Sequence, residues 1–121
     1  MRRQRWAPVL ALAAAQWSKK PAVELVTVIL TVPAHVPQRA AIRTGYGQKS
    51  SFDINLWFVV SARDPGFWDD GFSRERRERG DFIACAVPSG FDSIIHKVSC
   101  AAGRAVAAYE HFNYFLKTDD D

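Results

Sequence analysis

Three consecutive aspartates, Asp119, Asp120 and Asp121, directly follow a short apolar run, Tyr114 to Leu116, and its Lys117-Thr118. Carboxylates are hard oxygen donors. Mn²⁺ or Mg²⁺ takes one or two of them together with phosphate oxygens, and so bridges a protein to a nucleotide diphosphate. In an extended segment, residues two apart point to the same side. Asp119 and Asp121 are therefore expected to face a ligand together, with Asp120 turned away. The same three residues also read as a solvated acidic tail, and both readings stand at this point. His35, His96 and His111 show no ligand spacing. Two cysteines, Cys85 and Cys100, are too few for a disulfide scaffold or a four-thiolate zinc site.

The elements that must position the aspartates can be read from the apolar pattern. Glu24 to Val32 is β-branched and almost wholly apolar, the mark of a strand buried on both faces. Pro33 closes it, because proline cannot donate to a ladder. Arg39 to Tyr46 is helix-compatible, and Asn55 to Val60 reads as a second buried strand. Ser73 to Arg79 is a charged helix in which Glu75 and Arg79 form an i,i+4 pair. Asp81 to Val87 is a third strand. Asp92 or Ser93 then caps the longest helical signal, where Ile94, Ile95, Val98, Ala101, Ala102, Ala105, Val106, Tyr109 and Phe112 recur at three and four. The order β-α-β-α-β-α-β predicts an α/β fold, a mostly parallel sheet with helices on both faces. Ligands of such sheets sit outside the carboxyl ends of the strands, where the aspartates fall.

Charge separates the chain into two parts. Residues 1–20 carry five basic side chains and no acid, whereas residues 21–121 sum to −2. The pI of about 9.1 therefore belongs to the leader, and a nucleic-acid partner is not expected, since such proteins spread Lys and Arg over the folded surface. The leader has three arginines before an apolar run from Trp6 to Trp17. It reads as a cleaved signal, a short membrane anchor or a disordered basic start. Residues 21–121 form one unit without repeats or linkers.

Four pieces of this unit, taken in order, resemble the N-terminal half of the beta-1,3-galactosyltransferase family, Golgi hexosyltransferases of the GT-A fold. "RAAIRTGY", Arg39 to Tyr46, matches a helix after the first strand, with Gly45-Tyr46 in place of Thr-Trp. Phe58, Val59 and Val60 match a hydrophobic strand, with Ser61 in place of glycine. Glu75, Asp81, Phe82, Ile83, Asp92, Ser93 and Lys97 occupy the places of an acidic signature, whose Tyr-x-Asn-Leu part is replaced by Ile94, Ile95 and His96. A helix carrying Cys100 and then "YFLKTDDD" complete the series.

The resemblance implies a Rossmann-like nucleotide-sugar-binding half and a hexosyltransferase that moves a hexose from a UDP-sugar to a glycan or glycoprotein acceptor, with Golgi residence. The alternative is a nucleotide- or metal-binding α/β module without transfer chemistry. Carried over residue by residue, Asp119 would contact the sugar-nucleotide, with Asp120 beside it, and Asp119 and Asp121 would hold Mn²⁺ (or Mg²⁺). Arg39 and Arg43 would reach the nucleotide or its phosphates; as an ordinary solvated helix face they would add almost nothing to stability. Lys97 would reach the same region or be solvated. The family's acceptor site and general base lie beyond its aspartates, so the chain is expected to be a donor-binding half, inactive by itself. Cys85 and Cys100 are expected to be buried free thiols, the other possibility being a lumenal disulfide.

Overall fold

The computed structural model describes residues 23–46, 54–90 and 93–120. The leader, Asp92 and Asp121 lie outside the described residues. The elements are β1 (Val23–Leu30), α1 (Val36–Tyr46), β2 (Ile54–Ser61), α2 (Asp70–Arg79), β3 (Phe82–Cys85), α3 (Ile94–Ala108) and β4 (Phe112–Asp119). The predicted alternation is observed, with ends shifted by one to three residues at most boundaries.

All four strands are parallel, in the order β3-β2-β1-β4. The chain steps outward from β1 to β2 to β3, then crosses back to place β4 on the other flank of β1. Because strand side chains alternate, two cores form on opposite faces. On one, Val26, Val28, Leu30, Val59, Ile83 and Cys85 pack against Ala101, Ala105 and Tyr109 from α3 and the residue that follows it. On the other, Val60 packs with Phe67, Phe72, Phe82 and Ala84 beneath α2. Val26, Val28, Val59 and Val60 are fully buried, each contributing roughly 1.5–3 kcal/mol of transfer free energy. The central strands therefore read as continuous apolar runs, as the sequence predicts.

Helix ends follow local chemistry. Pro37 sits in the first turn of α1, where its missing N–H costs little. Asp70 opens α2 and Arg76, Arg77 and Arg79 close it, matching charge to the helix dipole. Gly80, at φ 65°, ends α2 in the left-handed conformation, and its N–H bonds the Arg76 carbonyl.

Three expectations need correction. The long helix stops at Ala108 instead of continuing to Phe112. Tyr109 is already extended, and its hydroxyl accepts a 2.7 Å hydrogen bond from Trp57 Nε1 on β2, which pins the chain as it turns into β4. Tyr109 and Phe112, three apart, satisfy helical spacing but serve as a pivot and a strand residue. The Glu75–Arg79 pair does not form the helix support expected, because Glu75 turns inward to α1. Finally, Cys85 and Cys100 are bonded to each other. Both line the α3 face, where β3 ends opposite the middle of α3, and burial there brings the two sulfurs together.

β4 pairs with β1 on one side; among the described residues nothing pairs with its other edge. Tyr114 and Leu116 are exposed on it. No helix among the described residues is long and apolar enough to cross a membrane.

Candidate functional site

In this strand order the connections diverge between β1 and β4: β1 leads to one face, while β4 is reached from α3 on the other. Such a switch point opens a crevice at the carboxyl edge of the sheet. A cavity of about 250 Å³ lies there, lined by Leu30, Thr31, Val32 and His35 after β1, by Asp119 and Asp120 at the end of β4, and by Gly90, Ile94 and Lys97 across the α3 entry.

Asp119 ends β4 with its carboxylate 57% exposed and 3.4 Å from Lys117 on its own strand. Asp120 is not turned away. Its Oδ2 accepts 2.8 Å hydrogen bonds from the Thr31 hydroxyl and from His35 Nδ1, and its side chain is buried. The alternation of an ideal strand ends with β4 itself, and these two donors at the end of β1 draw the next carboxylate inward. His35, which its spacing assigned no role, thus joins the site. Asp121 lies outside the described residues.

Lys97 is buried on the same stripe of α3 as Ala101 and Ala105, one and two turns on. It is not solvated: it faces the crevice, with its ammonium 3.9 Å from the buried Asp64 carboxylate. Asp64 is itself fixed by the Ser61 N–H at 3.1 Å, and the Ser61 hydroxyl bonds the Val87 carbonyl. Sequence reading missed Asp64. The available signal was an acid three residues past a strand end and just before Pro65, a pattern that favours a side-chain-closed turn. Behind it, Gly66 (φ 85°) lets the loop lie against Pro33; a Cβ there would meet the Pro33 Cβ at 3.3 Å.

Arg39 and Arg43 do share one helix face, but that face is turned into the protein. Arg39 is 0% exposed. Its five N–H donors go to Glu75 (2.7 Å twice), the Thr31 hydroxyl (3.0 Å), the Val32 carbonyl (2.6 Å) and the Pro33 carbonyl (3.0 Å). The guanidinium lies 5.1 Å from the Phe72 ring centre and 5.4 Å from that of Phe82. Arg43 holds Asp81 through Nε and Nη2 at 2.8 and 2.9 Å and Glu75 at 2.9 Å. Asp81 precedes β3, at the opposite end of that strand from the carboxyl edge. Neither the expected reach toward the nucleotide phosphates nor the alternative solvated face is what this geometry presents: Arg39 would have to break internal bonds to meet a phosphate, and Arg43 is engaged with Asp81 and Glu75 away from the crevice.

Two titrating groups of this network are perturbed. Burial pushes the Glu75 carboxyl up, but the hydrogen bonds and charges of Arg39 and Arg43 together outweigh it and hold the group below its ordinary value. The Asp81 hydrogen bond, helped by Glu75 against the opposing effect of burial, raises the guanidinium of Arg43 further.

Among the described residues no three His, Cys, Asp or Glu side chains converge as a metal cage. A cation that keeps waters and phosphate oxygens as ligands needs only one or two carboxylates. The carboxylate oxygens of Asp119, more than half exposed at the end of β4, fit that demand; in Asp120, which also lines the cavity, Oδ2 is committed to Thr31 and His35.

Comparison with known proteins gives one weak likeness. The chain is 26% identical over 107 residues to "Beta-1,3-galactosyltransferase 4" of the dog, Canis lupus familiaris. The match takes in 80% of this chain and 27% of that protein, so the chain spans about a quarter of its relative's length. No family model matches. The likeness links the chain to glycosyltransferases at the coarse level and the α/β sheet is compatible with it; neither assigns a site.

Proposed function

We propose that this chain is the donor-binding half of a hexosyltransferase, similar to beta-1,3-galactosyltransferases, and that the crevice between β1 and β4 receives a UDP-hexose. The observation that carries the proposal is the meeting, at the switch point of a parallel sheet, of an open acidic strand end and a buried lysine. Asp119 and Asp121 would hold Mn²⁺ (or Mg²⁺). When bound, that cation offsets diphosphate charge as UDP departs. Lys97 presents a positive charge to the phosphates from the opposite wall, oriented by Asp64. Thr31, His35 and Asp120 shape the floor between them. The hexose would pass to a glycan or glycoprotein acceptor in the Golgi, as part of protein glycosylation. The Cys85–Cys100 bond supports an oxidising compartment, since structural disulfides persist in secretory and lumenal spaces.

Titration calorimetry tests the proposal. UDP is expected to bind at least tenfold more tightly with Mn²⁺ than with EDTA, and Asp119→Asn is expected to remove that difference with the fold intact. Equal UDP affinity in both conditions for the wild-type protein would refute it.

A further inference from the structure

The proposed function leaves Arg39 unused, although it is one of the largest fully buried side chains and bonds Thr31 and Val32 of the crevice lining. Its contacts form a directed chain. Arginine only donates, so the lone pair of the Thr31 hydroxyl must face Arg39 Nη1 at 3.0 Å. An ionised carboxylate only accepts, so the hydroxyl proton must face Asp120 Oδ2 at 2.8 Å. The alternative acceptor for that proton, the Val32 carbonyl, stands at 3.4 Å. Both ends of the hydroxyl are thereby fixed. Thr31 is 3% exposed, and its backbone N–H also bonds Val59 on β2 at 3.0 Å. One residue thus ties β2, β4 and the Glu75–Arg39 pair of the two helices to the acidic turn.

We propose that Thr31, polarised and anchored by Arg39, is a positioning residue: it fixes Asp120 and so holds the end of β4 in the conformation that presents Asp119 to the nucleotide and cation. His35 supports Asp120 from the solvent side at 2.8 Å but is half-exposed, so the buried hydroxyl is the stiffer restraint. This inference rests on the functional reading above and adds to it: the arginine that resembles a phosphate ligand acts through a hydroxyl and a carboxylate instead.

The test compares Thr31→Val, which keeps shape but loses both hydrogen bonds, with Thr31→Ser, which keeps the hydroxyl. Two readouts are taken on the full chain. The dissociation constant for UDP with Mn²⁺ is expected to rise about tenfold in Thr31→Val and to stay within about twofold of wild type in Thr31→Ser. Backbone amide exchange at Thr118 to Asp120 is expected to quicken about tenfold in Thr31→Val only, with β2 and β3 protected as before. Unchanged exchange at these residues in a folded Thr31→Val protein would overturn the inference. So would an unchanged UDP affinity where the wild type binds. If the wild-type protein does not bind UDP with Mn²⁺, the functional reading falls, and amide exchange alone decides whether Thr31 positions the turn.

Discussion

Arg39→Ala is expected to cost about 3–5 kcal/mol, the usual loss when one partner of a buried ion pair is removed. For a domain near 100 residues that is a fall in melting temperature on the order of 10–20 °C. The physical reason is what the deletion strands. The Val32 and Pro33 carbonyls lose their guanidinium donor, Glu75 keeps only Arg43, and the space beside the paired Phe72 and Phe82 rings empties. Arg43→Ala is expected to cost less, because Asp81, 23% exposed, can turn to water. The effect has a pH signature. Glu75 is held below its ordinary pKa in the folded state, so it binds fewer protons folded than unfolded. Its contribution is therefore complete above the ordinary glutamate pKa and is lost as pH falls through the lowered folded-state value. The gap between wild type and Arg39→Ala should narrow in acid. Thermal melts of both proteins from neutral pH downward check this. A variant melting with wild type at neutral pH would return Arg39 to the surface.

Breaking the Cys85–Cys100 bond is the second large effect. The cysteines are fifteen residues apart, and a loop of that size gives about 3 kcal/mol through restriction of the unfolded chain. The bond also closes the β3–α3 connection one turn from Lys97, so its loss loosens the wall that carries the crevice's cation. Calorimetric melts of the double variant Cys85→Ala, Cys100→Ala, and of the wild type in reductant, should fall by roughly 10–15 °C. Two titratable thiols in the native protein, with a melt indifferent to reductant, would reinstate the free-thiol reading.

The course of the chain was legible because parallel strands buried on both faces leave unbroken β-branched runs, as in Val26 to Leu30 and Phe58 to Val60. The position of Asp119 and Asp120 was legible for the same reason: parallel strands alternating with helices put every strand's carboxyl end on one edge. Side-chain partners were not. A charge at helical spacing looks the same whether its face meets water or a neighbouring helix, and nothing local to "RAAIRTGY" says that Glu75, 36 residues on, completes Arg39. Only the direction of the Asp120 side chain was misread, because the strand rule was carried one residue past the strand. The cysteines were misread because pairing depends on which strand end a helix crosses, a tertiary fact. The resemblance drew Lys97 toward the aspartates, with which it shares a cavity lining, and burial beside Asp64 is why it is not solvated.

In the proposed function, a cation and a nucleotide diphosphate meet at the carboxyl edge between β1 and β4. Paramagnetic broadening of backbone amide signals by Mn²⁺ in the presence of UDP reports that place directly. Broadening is expected to centre on Thr118 to Asp120 and spread to Thr31 to His35, with α2 and the amino ends of the strands sharp, and to be lost in Asp119→Asn. Broadening centred on the acidic side chains of α2, or spread evenly over the protein, would contradict it.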